Sequence, residues 1–169
     1  MIEIFTENLL LVPCSLDIAK SLVFHRQELE TRSPISIPSN WPSSMITGIL
    51  PFYIEKLEKD ESFYGWGLWL VINYADKRII GDLYLQGKPD KKGTVNLSYT
   101  MNHDVHNSRL TYEAVDALID WLTTQTEAKK VITECSDNNY QSIQLFEKLG
   151  MRCTKKDGKF LMWELRKVI

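Results

Sequence analysis

The chain reads as one α/β (α+β) domain on a mixed, mostly antiparallel sheet, with elements in the order β-α-α-β-β-β-α-β-α-β-β. Three observations predict this. Three strand-like stretches, GLWLVINY, IIGDLYLQ and TVNLSYTM, follow one another across the turn sequences ADKR and GKPDKKG, the pattern of an antiparallel meander. An amphipathic helical stretch then separates TVNLSYTM from KKVITEC, and a helix between two strands makes them parallel neighbours. Finally, 169 residues at 44% hydrophobic and 25% charged are enough for one hydrophobic core, so a single domain over 1–169 is expected.

Each element has its own signal. The apolar run LLLV, closed by Pro13, predicts an opening strand within residues 3–13. Ser15 is an N-cap for a helix over about 16–30, with Leu16, Ala19, Leu22 and Val23 on one face. The loop SPISIPSNWPSS is irregular because its three prolines remove donors and stiffen the chain, and it carries the aromatic Trp41. A second helix spans roughly 43–59, and Pro51 is expected to kink or restart it.

After the meander, Leu110, Ala114, Ala117, Leu118, Trp121 and Leu122 give a helix over about 108–125 one buried face. KKVITEC has the apolar character of a buried parallel strand. Asn138 or Asn139 opens the next helix, which Gly150 stops in the C′ position. Two last strands, MRCTKK and KFLMWELR, turn at Asp157-Gly158.

Bulk properties exclude several classes of function. A net charge of −2 and a pI of about 5.9 give no broad attraction to nucleic acid or anionic lipid. The N-terminus MIEIFTENLLL lacks a basic n-region, and the longest apolar run, near 67–72, is too short to span a bilayer. Cys14, Cys135 and Cys153 are odd in number and widely spaced, so neither a disulfide framework nor a zinc site is expected. His103 and His106 in HDVH have a loop spacing with no second ligand cluster, and no metal site is read from them. A cytoplasmic protein without membrane or nucleic-acid partners is the expectation; a homodimer stays open.

The stretch HNSRLTYEA, residues 106–114, hands a strand over to a helix. A helix start offers free N–H groups and the positive end of the dipole, which suit an anion. Loops that seat a diphosphate usually contain glycine, yet none occurs between Gly93 and Gly150.

Three stretches of the second half resemble the GNAT N-acetyltransferase superfamily, closest to its RimJ/RimL-like branch. NNYQSIQLFEKLGM at 138–151 is similar to the family's N-x-x-S-I-x-x-x-E-K-L-G-F/M segment, and this is the more specific match. TYEAVDALIDWL at 111–122 resembles the helix after the cofactor loop, and GTVNLSYTM at 93–101 the strand that usually reads V-E-I-G-Y. The resemblance implies acetyl-CoA as co-substrate and direct acetyl transfer to a primary amine, on a peptide N-terminus or a small molecule. It places the pantetheine arm against the backbone of Tyr99, Thr100 and Met101. The pyrophosphate would lie on the loop of His106, Asn107, Ser108, Arg109, Leu110 and Thr111, with Asn139 also on the cofactor side.

The chain departs from the family pattern at chemically important places. The loop positions usually held by Gln or Arg, by Gly, and by Gly or Ala are His106, Arg109 and Thr111. The loop is degenerate: Arg109 either takes over the phosphate or obstructs it, and a binding module with weak or lost acetyl-CoA affinity is the alternative reading. Asn96 replaces a common acid, and Phe146 stands where many members carry a tyrosine general acid. The branch resembled has a serine candidate instead, here Ser142, which could equally be part of a helix cap with Asn139. Glu134 and Asp82 are the candidate carboxylates, a base and a substrate-side group, or else solvated or salt-bridged surface residues. Trp41 is either an acceptor wall or plain packing.

Overall fold

A computed structural model describes residues 2–105 and 107–167. The chain forms two compact units, Met1–Tyr84 with Tyr99–His106, and Leu85–Ser98 with Asn107–Ile169. The fold is α/β with mostly antiparallel strand pairs and a single parallel pair among those described, as expected.

In the first unit, β1 (Ile4–Phe5), β2 (Leu9–Pro13), β3 (Leu68–Asn73) and β4 (Arg78–Leu85, all but its last residue) pair antiparallel in that order. The single opening strand expected is two strands. Thr6 makes the turn between them: its backbone N–H donates to the Leu9 carbonyl at 2.9 Å, and its hydroxyl oxygen accepts the Leu9 N–H at 3.0 Å. The expected helix over 16–30 is likewise split, into α1 (Leu16–Phe24) and α2 (Arg26–Arg32). The break falls at His25, whose φ of −140° is not helical; no glycine or proline signals it. Ser15 caps α1 by accepting the Ile18 N–H at 3.2 Å.

α3 (Ser44–Lys59) runs through Pro51 as one helix. The missing N–H costs a backbone bond, and burial of Ile46, Leu50, Tyr53, Ile54 and Leu57 on one face outweighs it. A 3-10 turn, Glu61–Phe63, follows. This face packs with Leu22 and Leu29 of the first two helices and with Leu68, Leu70, Ile72 and Ile79 of the strands into one core. Tyr53 also donates its hydroxyl to the Cys14 carbonyl.

The pairing of β3 with β4 is irregular at one point. Val71 pairs with Gly81 and Ile72 with Ile79, so Ile80 is an extra residue, a bulge in β4. Directly opposed residues share a face, so Asp82, opposite Leu70, lies on the helix-covered side along with Ile79, opposite Ile72. In a strand without a bulge, side chains three apart would point to opposite sides.

The second unit begins with the return of β4 into β5 (Thr94–Met101), where Gln86 N–H donates to the Asn96 carbonyl at 3.0 Å. β5 continues into the first unit with its last three residues. Next come α4 (Ser108–Gln125), β6 (Lys130–Ser136), α5 (Tyr140–Lys148), β7 (Arg152–Asp157) and β8 (Phe160–Arg166). β5 and β6 are parallel from Thr94↔Lys130 to Asn96↔Ile132, as a crossover through α4 requires. β8 lies antiparallel between β6 and β7. α4 buries Ala114, Val115, Leu118, Ile119 and Leu122, and Gly150 ends α5 with φ +83°, a conformation glycine adopts without strain.

Candidate functional site

Two of the candidate residues meet in the first unit. Trp41, in the proline-rich loop, donates its indole N–H to the Asp82 carboxylate at 2.9 Å, and the two side chains are 2% and 1% exposed. Asp82 is therefore not solvated and makes no ion pair among the described residues, against the surface reading of it. Its place opposite Leu70, on the helix-covered side of β4, takes it into the core. Burial pushes its carboxyl up from 3.8 to about 6, and the Trp41 hydrogen bond opposes part of that rise. A carboxyl that titrates near neutrality is suited to exchanging protons.

Trp41 belongs to the core cluster, so packing describes it better than an open wall. The loop that carries it is tied down by Arg26 of α2. The guanidinium donates to the Trp41 carbonyl at 2.6 Å and the Pro38 carbonyl at 2.8 Å, and its Nε to Glu30 at 2.8 Å.

The end of β5 is held to β4 in the same unit. Tyr99, Thr100 and Met101 are half-buried. Just beyond them, Asn102 donates its backbone N–H to the Ile80 carbonyl at 2.8 Å and its side-chain amide to the Ile79 carbonyl at 3.0 Å. Arg78 and Asp104 form an ion pair at 2.6 Å. Gly81 has no room for a side chain. A Cβ there would overlap the Thr100 carbonyl oxygen and lie 2.7 Å from the Met101 Sδ. The backbone expected to receive the pantetheine arm is thus set by a glycine contact beside the bulge.

In the second unit, α4 starts at Ser108, and His106 lies outside the described residues. Asn107 is the N-cap: its side-chain oxygen accepts the Arg109 N–H at 3.0 Å, and its carbonyl takes the Leu110 N–H at 3.1 Å and the Thr111 N–H at 3.4 Å. The helix start is therefore not the open row of donors that the sequence suggested. Asn107, Ser108 and Arg109 are exposed, Leu110 and Thr111 half-buried. The Arg109 guanidinium makes no ion pair with the described residues. A diphosphate would find a cation and the Ser108 hydroxyl here, with few spare backbone amides.

Asn139 caps α5, its side-chain oxygen accepting the Ser142 N–H at 3.1 Å. Ser142 is 5% exposed in the first turn. Phe146, one turn on, is buried and tilts at 54° against Trp163 with ring centroids 5.7 Å apart. Glu134 is exposed on β6, opposite Met162 of β8. The candidates thus form one set in the first unit (Trp41, Asp82, Tyr99, Thr100, Met101) and another in the second (Asn107 to Thr111, Glu134, Asn139, Ser142). The described residues include no group of three or more His, Cys, Asp or Glu able to hold a metal ion.

Sequence reasoning missed Arg26 and Gly81. Arg26 hid as half of an ordinary helical i,i+4 pair with Glu30. Gly81 did carry a signal, since glycine inside a strand marks a bulge or a close backbone approach.

Comparison with known proteins agrees with this architecture. Residues 8–152 match the family model described as an acetyltransferase (GNAT) domain. The chain is 24% identical over 123 residues, 73% of each protein, to the uncharacterized N-acetyltransferase YjdG of Bacillus subtilis (strain 168). Its fold superimposes on the ribosomal-protein-S5-alanine acetyltransferase from Vibrio fischeri with a TM-score of 0.70 at 14% identity, covering 99% of this chain and 97% of that one. It also superimposes on a GNAT-family acetyltransferase from Bacillus anthracis with a TM-score of 0.66 at 15% identity, covering 98% and 99%. The fold and its sequence pattern define an acetyltransferase. The chain belongs to the GNAT acetyltransferase family, a family that implies acetyl-CoA as the acetyl source.

Proposed function

We propose that the chain, acting as one domain over residues 1–169, transfers an acetyl group from acetyl-CoA to a primary amine, on a peptide N-terminus or a small cationic molecule. The observation that carries this reading is Asp82, a buried carboxyl with a raised proton affinity whose described hydrogen-bond partner is a neutral indole. Charge distribution supports it. The first unit has twelve Asp and Glu against seven Lys and Arg, the second ten against thirteen. An acidic surface attracts a cationic acceptor and a basic one an anionic cofactor.

Acetyl-CoA supplies the activated thioester. The neutral amine nitrogen attacks the thioester carbonyl carbon, the N–C bond forms, and the C–S bond breaks to release thiolate. In this reading Asp82 takes the proton from the amine, Ser142 gives one to the departing sulfur, and exchange with solvent returns a proton to the serine oxygen and removes the one on Asp82. Glu134, exposed on β6, is the carboxylate left for a base that works through water. The backbone of Tyr99 to Met101 aligns the pantetheine arm, and Arg109 with Ser108 holds the diphosphate. Three free cysteines, with Cys153 exposed, suit a reducing compartment such as the cytoplasm.

A second reading, a GNAT-fold protein that binds acetyl-CoA weakly and regulates or scaffolds, is favoured by one observation: Asn107 occupies the Arg109 N–H. One pair of measurements separates the two. Under the first reading, acetyl-CoA at about 100 times its dissociation constant stabilises by about 2.7 kcal/mol, raising the unfolding midpoint by roughly 5–10 °C. Free CoA thiol then accumulates with an amine panel of short peptides and diamines. Absence of both effects leaves only the second reading.

A further inference from the structure

We propose that Arg26 is a positioning residue: by holding the Pro38 and Trp41 carbonyls, it keeps the Trp41 indole N–H on the Asp82 carboxylate and so fixes the donor that an acceptor amine must meet there. The inference rests on the amine-transfer reading only for the last step, the amine.

The chain of contacts is continuous within one unit. Glu30 orients the Arg26 side chain at 2.8 Å, and the guanidinium spans two carbonyls three residues apart at 2.8 and 2.6 Å. The second of these carbonyls belongs to Trp41 itself, whose indole reaches Asp82 at 2.9 Å. A forked, charge-assisted donor fixes direction as well as distance, which an ammonium on a flexible stem does not. Trp41 is also packed into the core, so the loop has few other ways to place its ring.

The surroundings leave Asp82 dependent on this contact. β3 beside it has no ionisable residue, and on β4 Arg78 is engaged with Asp104 while Tyr84 keeps a phenol raised above its usual range by burial. The end of β5 contributes only Tyr99, and α3 contributes Tyr53, whose hydroxyl is spent on the Cys14 carbonyl. The influences on the Asp82 carboxyl are therefore its burial and the Trp41 N–H.

The experiment follows the Asp82 carboxyl by carbon NMR across pH, with Asp82→Asn to assign the signal, in wild type, Arg26→Lys, Trp41→Phe and the double variant. Lysine keeps the charge, so a through-space effect is held constant. Trp41→Phe moves the midpoint upward from about 6 by about one unit, the worth of one hydrogen bond to an ionised group. Arg26→Lys moves it in the same direction by a part of that, and the double variant matches Trp41→Phe alone, the non-additivity of residues acting in series. The proposal is overturned if Arg26→Lys leaves the midpoint unchanged. It is also overturned if Arg26→Lys shifts the midpoint equally with and without Trp41, or if Trp41→Phe has no effect.

Should Arg26→Lys fail to fold, Arg26→Gln and exchange of the Trp41 indole proton decide the matter. Slow exchange in wild type that quickens in Arg26→Gln supports the relay, and wild-type exchange as fast as that of an exposed indole overturns it. Turnover with Asp82→Asn reads the catalytic role separately, so failure of that role and failure of the relay are distinguishable.

Discussion

The Asn107 side chain accepts the Arg109 backbone N–H at 3.0 Å, two residues on, and so closes the start of α4 from within. In a glycine loop that amide faces the diphosphate; here it is engaged, and the guanidinium of the same residue is exposed. Arg109→Gly should therefore weaken acetyl-CoA binding roughly tenfold, the worth of one charge-assisted contact of about 1.5 kcal/mol. Titration calorimetry checks it. Tighter binding in the variant would show that the arginine obstructs the site.

Asp82 gives stability a definite dependence on pH. Its folded carboxyl titrates at about 6 against 3.8 in the unfolded chain, so between these values the folded state holds more protons. Stability from this group is fully present below pH 3.8 and falls as pH rises to about 6, by up to roughly 3 kcal/mol. Asp82→Asn removes that decline. Urea unfolding at pH 4 and pH 7 should show a smaller difference between the two conditions in the variant than in wild type.

The two candidate bases separate by turnover. Asp82→Asn should lower kcat about 100-fold or more, the usual range for a lost general base, while Glu134→Gln should leave it within about twofold. The reverse pattern would assign the proton to the exposed carboxylate of β6.

Gly81→Ala tests the backbone behind the pantetheine candidates. Its Cβ meets the Thr100 carbonyl oxygen and comes within 3.0 Å of the Met101 Cα, so the strand end must move. A loss of about 1–3 kcal/mol in stability is expected, with a raised KM for acetyl-CoA. Unchanged KM in a destabilised variant would make the contact purely architectural.

Phe146→Tyr restores the hydroxyl common in the superfamily without restoring its use. The ring is buried against Trp163, so an added hydroxyl is desolvated at a cost of about 1–3 kcal/mol. Lower thermal stability with no gain in kcat is the expected result, whereas Ser142→Ala should lower kcat.

The fold was largely legible because its signals are local. TVNLSYTM and the helix over 108–125 lie where hydrophobic spacing placed them, and Gly150 ends α5 as its residue type implies. The break at His25 was not legible, since nothing in FHRQE distinguishes it from an unbroken helix. The loop residues around Arg109 could be named, but not the Asn107 cap, because asparagine can cap a helix or contact a ligand with the same atoms. The depth of Asp82 depended on which face of β4 the helices cover and on a tryptophan 41 residues away, neither of which a local pattern encodes.

The bulge at Ile80 works as a frame shift written in space instead of codons. Taking that one residue into the ladder would leave every residue of β4 in place, yet put the acid and Ile79, three positions apart, on opposite sides of the strand. Two chains that share the letters Gly-Asp at this strand can therefore present unlike chemistry to the same ligand. Whether one apolar residue bulges out or enters the ladder, with no change in any polar one, decides whether this carboxylate and the strand residues before it face the same core.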